Sequence, residues 1–430
     1  MKHVPSLCKL IFILAVTAVI TAPLFAQSGP RQEKLLNGLK VLMWNDPGAG
    51  KVSLKLRIHS GSAFDPQGKE GVMRLLAEDI FPNAETREFF RDDLGGGLDI
   101  TTTYDYIEIG ASSKPSEFLN MLETVANAVS NISIDKEITA KLKNEQLERI
   151  KQLEGDPAYI ADMTAAKQLL GTFPYGRPKD GTTDSVKNID FADLIDARDR
   201  FLTADNATVA ISGAFDSNIA YRAIRRYFGS WLKADKRVPS TFRQPDPPSL
   251  TMKVADSPVP FTSEFRIVRR GLARNDADHY AALILEKILM KRFRAGNPDA
   301  FVRYEYHVLP GIFTIGSSTK LQPLGSGEGN VGRPNTDDDW DSHLQGAVTK
   351  EEFDAARREV MSDAARQDTA ALWLDVDTFK LASAKADTDR ISAVTSADVQ
   401  RVFDRLVKEP AAYVSVFARG KAPADTSEKH

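Results

Sequence analysis

The chain of 430 residues contains a single cysteine, Cys8. One thiol makes no internal disulfide, and the chain has no thiolate zinc cluster. Histidine is also scarce, with six in all: His3, His59, His279, His307, His343 and His430. None pairs with another at the spacing that two metal-ligating imidazoles need on a helix or a strand. An excess of charge of one sign is missing too. The net charge is −3, which excludes the strongly basic face of a nucleic-acid binder. Past residue 26 no apolar run approaches membrane length.

What is present begins with a processing segment. Lys2, His3 and Lys9 precede the apolar run "LIFILAVTAVITAPLFA", which gives way to the polar "QSGPRQEK". This pattern reads as an export signal over residues 1–26, cleaved after Ala26. An uncleaved anchor is the alternative, because the run is just long enough to span a bilayer. Cys8 lies ahead of the apolar core, outside a lipoprotein position.

One unit occurs twice. "NIDFADLIDARDRFLTADNATVAISGAF" (188–215) and "AVTSADVQRVFDRLVKEPAAYVSVFARG" (393–420) both read as a capped helix, a loop and an alternating strand. Asp190 and Thr395 are the caps. Phe191, Leu194, Ile195 and Phe201, and likewise Val399, Val402, Phe403 and Leu406, supply helical apolar spacing. The unit starts also match: "VSLKLRIHSGSAF" leads into a helix near 71–81, and "TSEFRIVRRGLAR" into "NDADHYAALILEKILMKRF". Mid-unit helices are expected at 134–152 and 348–367, each with a cap and an acidic first turn. Proline-rich 232–250 reads as a linker. The segment 322–342, rich in Gly, Asn and Asp, reads as a loop where the first unit has a helix ("KPSEFLNMLETVANAVSNIS"). The expected fold is α+β, two tandem homologous domains with helices covering a sheet, at 33–231 and 251–420, followed by a tail at 421–430.

The order of these segments resembles the insulinase/pitrilysin family of zinc metallopeptidases and its processing-peptidase relatives. "LLNGLKVLMWNDPGAGKVSLKLRIHSGSAFDP" is similar to the family's opening. "PYGRP" with the following "GT" and Ser is similar to its middle signature, and "LPGIFTIGSST" to its second-domain strand pair. The resemblance implies a metallopeptidase half, one side of a clamshell. In catalytic members the helix after the first "GS" strand carries H-x-x-E-H. Two imidazoles share one helix face there, with the Glu beside the metal-bound water as general base. "GVMRLLAEDIF" (71–81) places Arg74 at the first His, Ala77 at the Glu and Glu78 at the second His. The third ligand, a Glu on a later helix, falls near Glu148 or Arg149. The resemblance therefore implies a family member without catalysis and without zinc. Arg74 and Glu78, four residues apart, are expected to pair, joined by Glu148 or Arg149, where the metal would otherwise lie.

The family's second domain also binds substrate through an Arg and a Tyr. Arg292 or Arg294 matches the Arg, and no Tyr stands at the matching position. Tyr304 and Tyr306 read as sheet residues. The glycines at 95–97 read as a tight turn, and "DITTTYDYIEIGAS" as an edge strand that either accepts extended peptide, through Thr102, Thr103 and Tyr104, or caps the sheet. His59 and His307 read as strand-end polar residues. Asp337, Asp338, Asp339 and Asp341 read as a solvated acidic loop, with calcium as the alternative. As a helix beside the degenerate site, "AETREFFRDDL" (84–94) is expected to pack Phe89, Phe90 and Leu94 on one face, with Arg87, Arg91, Asp92 and Asp93 around it, and a partner contact is the alternative. The leading functional reading is an exported pseudo-peptidase that lines a peptide-binding chamber, needs no cofactor and pairs with a zinc-bearing partner or a second copy of itself. A structural subunit of a membrane or periplasmic complex is the alternative, and a zinc metalloendopeptidase with atypical ligands is a third reading.

Overall fold

A computed structural model describes residues 29–234, 251–320 and 344–418. The signal segment, Cys8, most of the linker, the acidic loop and the tail lie outside the described residues, as do His3, His343 and His430. The first part runs β1 (Arg31–Lys34), β2 (Lys40–Asn45), β3 (Val52–Ile58), α1 (Val72–Asp79), α2 (Ala84–Asp92), β4 (Gly97–Thr102) and β5 (Ile107–Ser113). It continues through α3 (Phe118–Ser130), α4 (Lys136–Glu154), α5 (Pro157–Leu170), α6 (Thr183–Lys187), α7 (Phe191–Phe201), β6 (Ala207–Gly213) and α8 (Ser217–Phe228). The second part runs β7 (Lys253–Asp256), β8 (Thr262–Arg270), α9 (His279–Gly296), β9 (Ala300–Glu305) and β10 (Ile312–Lys320). After the undescribed stretch come α10 (Lys350–Ala365), α11 (Thr369–Thr378), α12 (Ala384–Ala393), α13 (Ser396–Lys408) and β11 (Ala412–Phe417).

The repeat in the sequence appears as repeated topology. One sheet has the order β1-β2-β6-β3-β5-β4 and the other β7-β11-β8-β10-β9. Without β1 the two orders coincide. In each, the last strand of the unit lies parallel to the first, β6 to β2 and β11 to β7, and antiparallel to the next, β3 or β8. The helices before these last strands, α7 and α13, begin with the expected caps, Asp190 and Thr395, each of which forms a capping box. This is the α+β architecture read from the sequence, two sheets with helices over them.

Alternation along the strands sends one face of each sheet into a helix-covered core. Leu54, Leu56 and Ile58 of β3 pack with Leu75 and Leu76 of α1 and Leu122 and Val125 of α3. Ile267, Val302 and Ile315 pack with Leu285 and Leu289 of α9 and Phe403 of α13.

The other faces are covered by exchange. α5, from the first part, lays Ala161, Ala165 and Leu169 against Val268, Ala412, Val414 and Val416 of the second sheet. α11, from the second part, lays Ala370 and Leu374 against Leu42 and Ala210 of the first sheet. Trp44 and Trp373 meet edge-on there, with ring centroids 6.2 Å apart. Ion pairs border both seams. Arg57 of β3 holds Asp375 of α11 at 2.7 Å and Glu108 at 2.6 Å, and Arg266 of β8 holds Asp162 of α5 at 2.6 Å. Each half thus contributes a helix to the other's sheet, and the two cannot separate without uncovering both apolar faces.

Candidate functional site

α1 is seated by contacts made before its first turn. Gly71, its N-cap, has φ +105°, and a Cβ there would come within 2.6 Å of Gln146 Nε2 and 2.8 Å of the Asp180 carbonyl oxygen. Gln146 of α4 donates to that Asp180 carbonyl at 2.6 Å. Asp65 accepts from the backbone N–H groups of Gly71 at 2.7 Å and Met73 at 2.8 Å. Burial pushes the Asp65 carboxyl up to about 7, against the lowering effect of those two hydrogen bonds. This lock brings α1, α4 and the chain near Asp180 into one register. Arg149, three residues beyond Gln146 on α4, consequently reaches the same face as Arg74 and Glu78.

The result is a charged cluster on the polar side of α1. Arg74 Nη2 lies 2.6 Å from Glu78 Oε1, and Arg149 Nη2 lies 3.8 Å from the same oxygen. Arg87 of α2 stands 3.8 Å from Glu78 Oε2, and Arg74 Nε 3.7 Å from Asp180 Oδ1. Ala77 faces the core and is 1% exposed. Of the two α4 candidates, Arg149 approaches the cluster. Glu148 is directed outward, where Lys151 holds it at 2.5 Å. Sequence reasoning expected the helix that carries Arg87 to lie beside this site, but it missed the approach of Arg87 to Glu78 and missed Asp180 altogether, because nothing in local spacing relates either to Glu78.

Several expected positions are corrected. The segment 99–112 is a hairpin, not one strand: β4 forms the sheet edge, whereas β5 is interior, between β3 and β4. Of the proposed peptide-binding residues only Thr102 is in the edge strand. Thr103 and Tyr104 form the turn, with Thr103 Oγ1 accepting from the Tyr106 N–H. Tyr104 is buried and donates its hydroxyl to the Arg177 carbonyl. Its ring packs between the two halves, where it meets Tyr175 and His307 edge-on. His307 holds Asp105 at 3.0 Å.

Arg292 clamps Glu352 through two hydrogen bonds and also donates to the carbonyls of Gln345 and Ala347, so it anchors the start of α10. Arg294 donates to the Ala300 carbonyl. Tyr306 lies just beyond β9. His59 sits between the hydroxyls of Thr208 and Thr378, each 3.0 Å away, and burial pushes its pKa down to about 3. Phe90 and Leu94 are buried, but Phe89 is 36% exposed and packs edge-on against Phe90. Of the 95–97 glycines, Gly95 and Gly96 make the turn, with Gly95 at φ +66° and Gly96 too close to the Ser112 carbonyl for any Cβ, and Gly97 opens β4.

Residues 40–178 match the model of the Insulinase (Peptidase family M16) family, and residues 188–322 match the Peptidase M16 inactive domain. The chain belongs to the M16 peptidase family. An uncharacterized zinc protease of Rickettsia bellii is 23% identical to this M16 chain over 210 residues, 47% of the chain and 50% of that protein. The chain spans about half the length of the curated relatives it matches. Among solved structures, the peptidase M16 inactive domain from Pseudomonas fluorescens superimposes with a TM-score of 0.77 at 18% identity, covering 91% of this chain and 98% of that one. The periplasmic protease PqqL from Escherichia coli gives 0.68 at 14% identity, covering 91% of this chain and 48% of that one. At these identities the two structures establish a shared fold.

The donor set on the M16 helix does not suit the zinc of the family's catalytic members. A guanidinium and a methyl group replace one imidazole and the general base. Glu78, the one residue with a ligand atom, has arginines on both its oxygens. A dication placed there would face three positive side chains within a few ångströms. Among the described residues no group of three or more His, Asp or Glu converges where a metal ion would sit. No helix among them is long and apolar enough to cross a membrane.

Proposed function

We propose that this M16 protein is an exported, non-catalytic family member that carries no zinc and serves as one wall of a peptide-holding chamber completed by a zinc-bearing M16 subunit. The observation that carries this reading is Glu78 bracketed by Arg74, Arg87 and Arg149 at the family's metal position. Hydrolysis by the family mechanism needs a Lewis acid and a base at these positions, and neither replacement supplies one. The chamber role draws support from the fold itself. The chain covers 48% of a periplasmic protease, so a second M16 body of similar size would complete a comparable enclosure. The outer edge of β4 lies beside α1 and α2 and has open backbone groups for an extended peptide.

The test uses the mature protein in two measurements: metal content by plasma mass spectrometry, and cleavage of a peptide library alone and with a co-exported zinc-bearing M16 protein. The expected result is sub-stoichiometric zinc, no cleavage alone and stimulation of the partner. Stoichiometric zinc with cleavage by the isolated chain overturns the reading. Co-purification with a membrane complex, without any peptide binding, favours the structural-subunit alternative.

A further inference from the structure

The charged cluster is short of acceptors. Arg74, Arg87 and Arg149 stand against Glu78 and Asp180, three cations to two anions. Each guanidinium has five N–H donors in a fixed plane. Among these five groups, only Arg74 and Glu78 approach to hydrogen-bond length, at 2.6 Å; the other approaches are 3.7–3.8 Å. Two donors at the heart of the cluster, Arg74 Nε and Arg149 Nη1, are buried and have no acceptor. Buried donors without partners are costly, and three guanidiniums around one carboxylate repel one another. One more oxyanion on the solvent side balances the charge of the set and gives Arg149 an acceptor.

The approach is open. The Arg87 and Arg149 side chains are 45% and 36% exposed, so the outer side of the cluster faces solvent while its inner side is held by α1. α1 and α2 both pack against β4, the edge strand. A peptide extended along that edge would carry its side chains, at alternate positions, toward this rim.

We infer that the Arg74–Arg87–Arg149 cluster is an anion site that takes a carboxylate of an extended acidic peptide, so that a metal position has become a specificity position. The ligand's identity as a peptide rests on the chamber reading above; the anion site itself does not. Arg149 and Arg87, the two exposed members, supply the new hydrogen bonds, whereas Arg74 remains with Glu78 and its inward Nε stays 3.7 Å from Asp180. A neutral peptide leaves the donors unpaired and binds less tightly.

The experiment measures fluorescence anisotropy with the full mature protein and two labelled hexapeptides, one alternating Val and Glu, the other alternating Val and Gln. The Glu peptide is expected to bind about tenfold more tightly, the ratio one charge-assisted contact gives. Its affinity should fall as salt is raised. Arg149→Gln and Arg87→Gln should each remove most of the difference. Arg91→Gln, on the same helix as Arg87 but paired with Asp92 at 2.8 Å, should leave it unchanged. Circular dichroism of each variant checks that it is folded, and Arg87, the most exposed of the three, gives the variant least coupled to folding. Inorganic phosphate that competes with the Glu peptide supports a shared site. Equal binding of both peptides, loss in neither arginine variant, or phosphate binding without peptide binding overturns the inference. Because none of these readouts involves zinc or cleavage, failure here leaves the non-catalytic reading standing, and zinc in the protein would overturn that reading separately.

Discussion

Asp79, the last residue of α1, is 3% exposed, and neither of its carboxylate oxygens has a hydrogen-bond partner. Burial, with a smaller contribution from the neighbouring Asp135, pushes its pKa up to about 6. In the unfolded chain an aspartate titrates near its ordinary value, about 3.9. Between these two values the native state holds a proton that the unfolded state has released. Stability therefore falls as pH rises through this window and levels off above it. A gap of about two pKa units corresponds to about 3 kcal/mol at pH 8, of which about 1–1.5 kcal/mol develops between pH 5 and pH 8. Asp79→Asn removes the titration without changing the side-chain shape. In urea denaturation at pH 5 and pH 8, the variant should gain about 1–1.5 kcal/mol relative to the natural protein at the higher pH. Asp65 shifts in the same direction, but it is present in both proteins and cancels in the difference. A stability difference that is the same at both pH values would refute the reasoning, since it would mean that Asp79 ionises alike in both states.

Asp65→Ala should leave the N–H groups of Gly71 and Met73 without acceptors and destabilise the protein by about 2 kcal/mol, read as a lower melting temperature. Leu374→Ala, fully buried where α11 crosses the first sheet, should cost about 2–4 kcal/mol in chemical denaturation. Arg57→Ala should strand Asp375 in the same seam and cost about 3 kcal/mol, more than the cost of replacing both partners with apolar residues. Restoring the zinc motif with Arg74→His, Ala77→Glu and Glu78→His should not yield stoichiometric zinc while Arg149 remains. Adding Arg149→Glu should raise metal content toward one per chain, and equal zinc in both variants would show that Arg149 does not face the site.

Much of the fold was legible from local pattern. Capping residues, 3.6-residue apolar spacing and alternating strands act within a few residues of one another, so Asp190, Thr395 and the strands after them could be placed from sequence. The same holds for α1: Val72, Leu75 and Leu76 face the core as their spacing requires. The reading of 99–112 as one edge strand failed because the alternation changes phase, from Ile100 and Tyr104 to Ile107, Ile109 and Ala111, and that change marks the turn at residues 103–106. The family resemblance assigned Arg292 to substrate, but the nearby α10 start consumes its donors.

By itself, the sequence determined the two-fold repeat, the amphipathic helix at 72–79 and the absence of imidazole from it. These depend on residue type and on spacing within a turn or two. Tertiary structure decided which residues surround Glu78. Arg87, Arg149 and Asp180 come from three other segments, the farthest more than a hundred residues along the chain; Gly71, Gln146 and Asp65 hold α1, α4 and the Asp180 backbone in register, and α2 brings Arg87 alongside. Tertiary structure also decided the exchange of α5 and α11 between the sheets. An apolar helix face records that it must be covered, and not which sheet covers it.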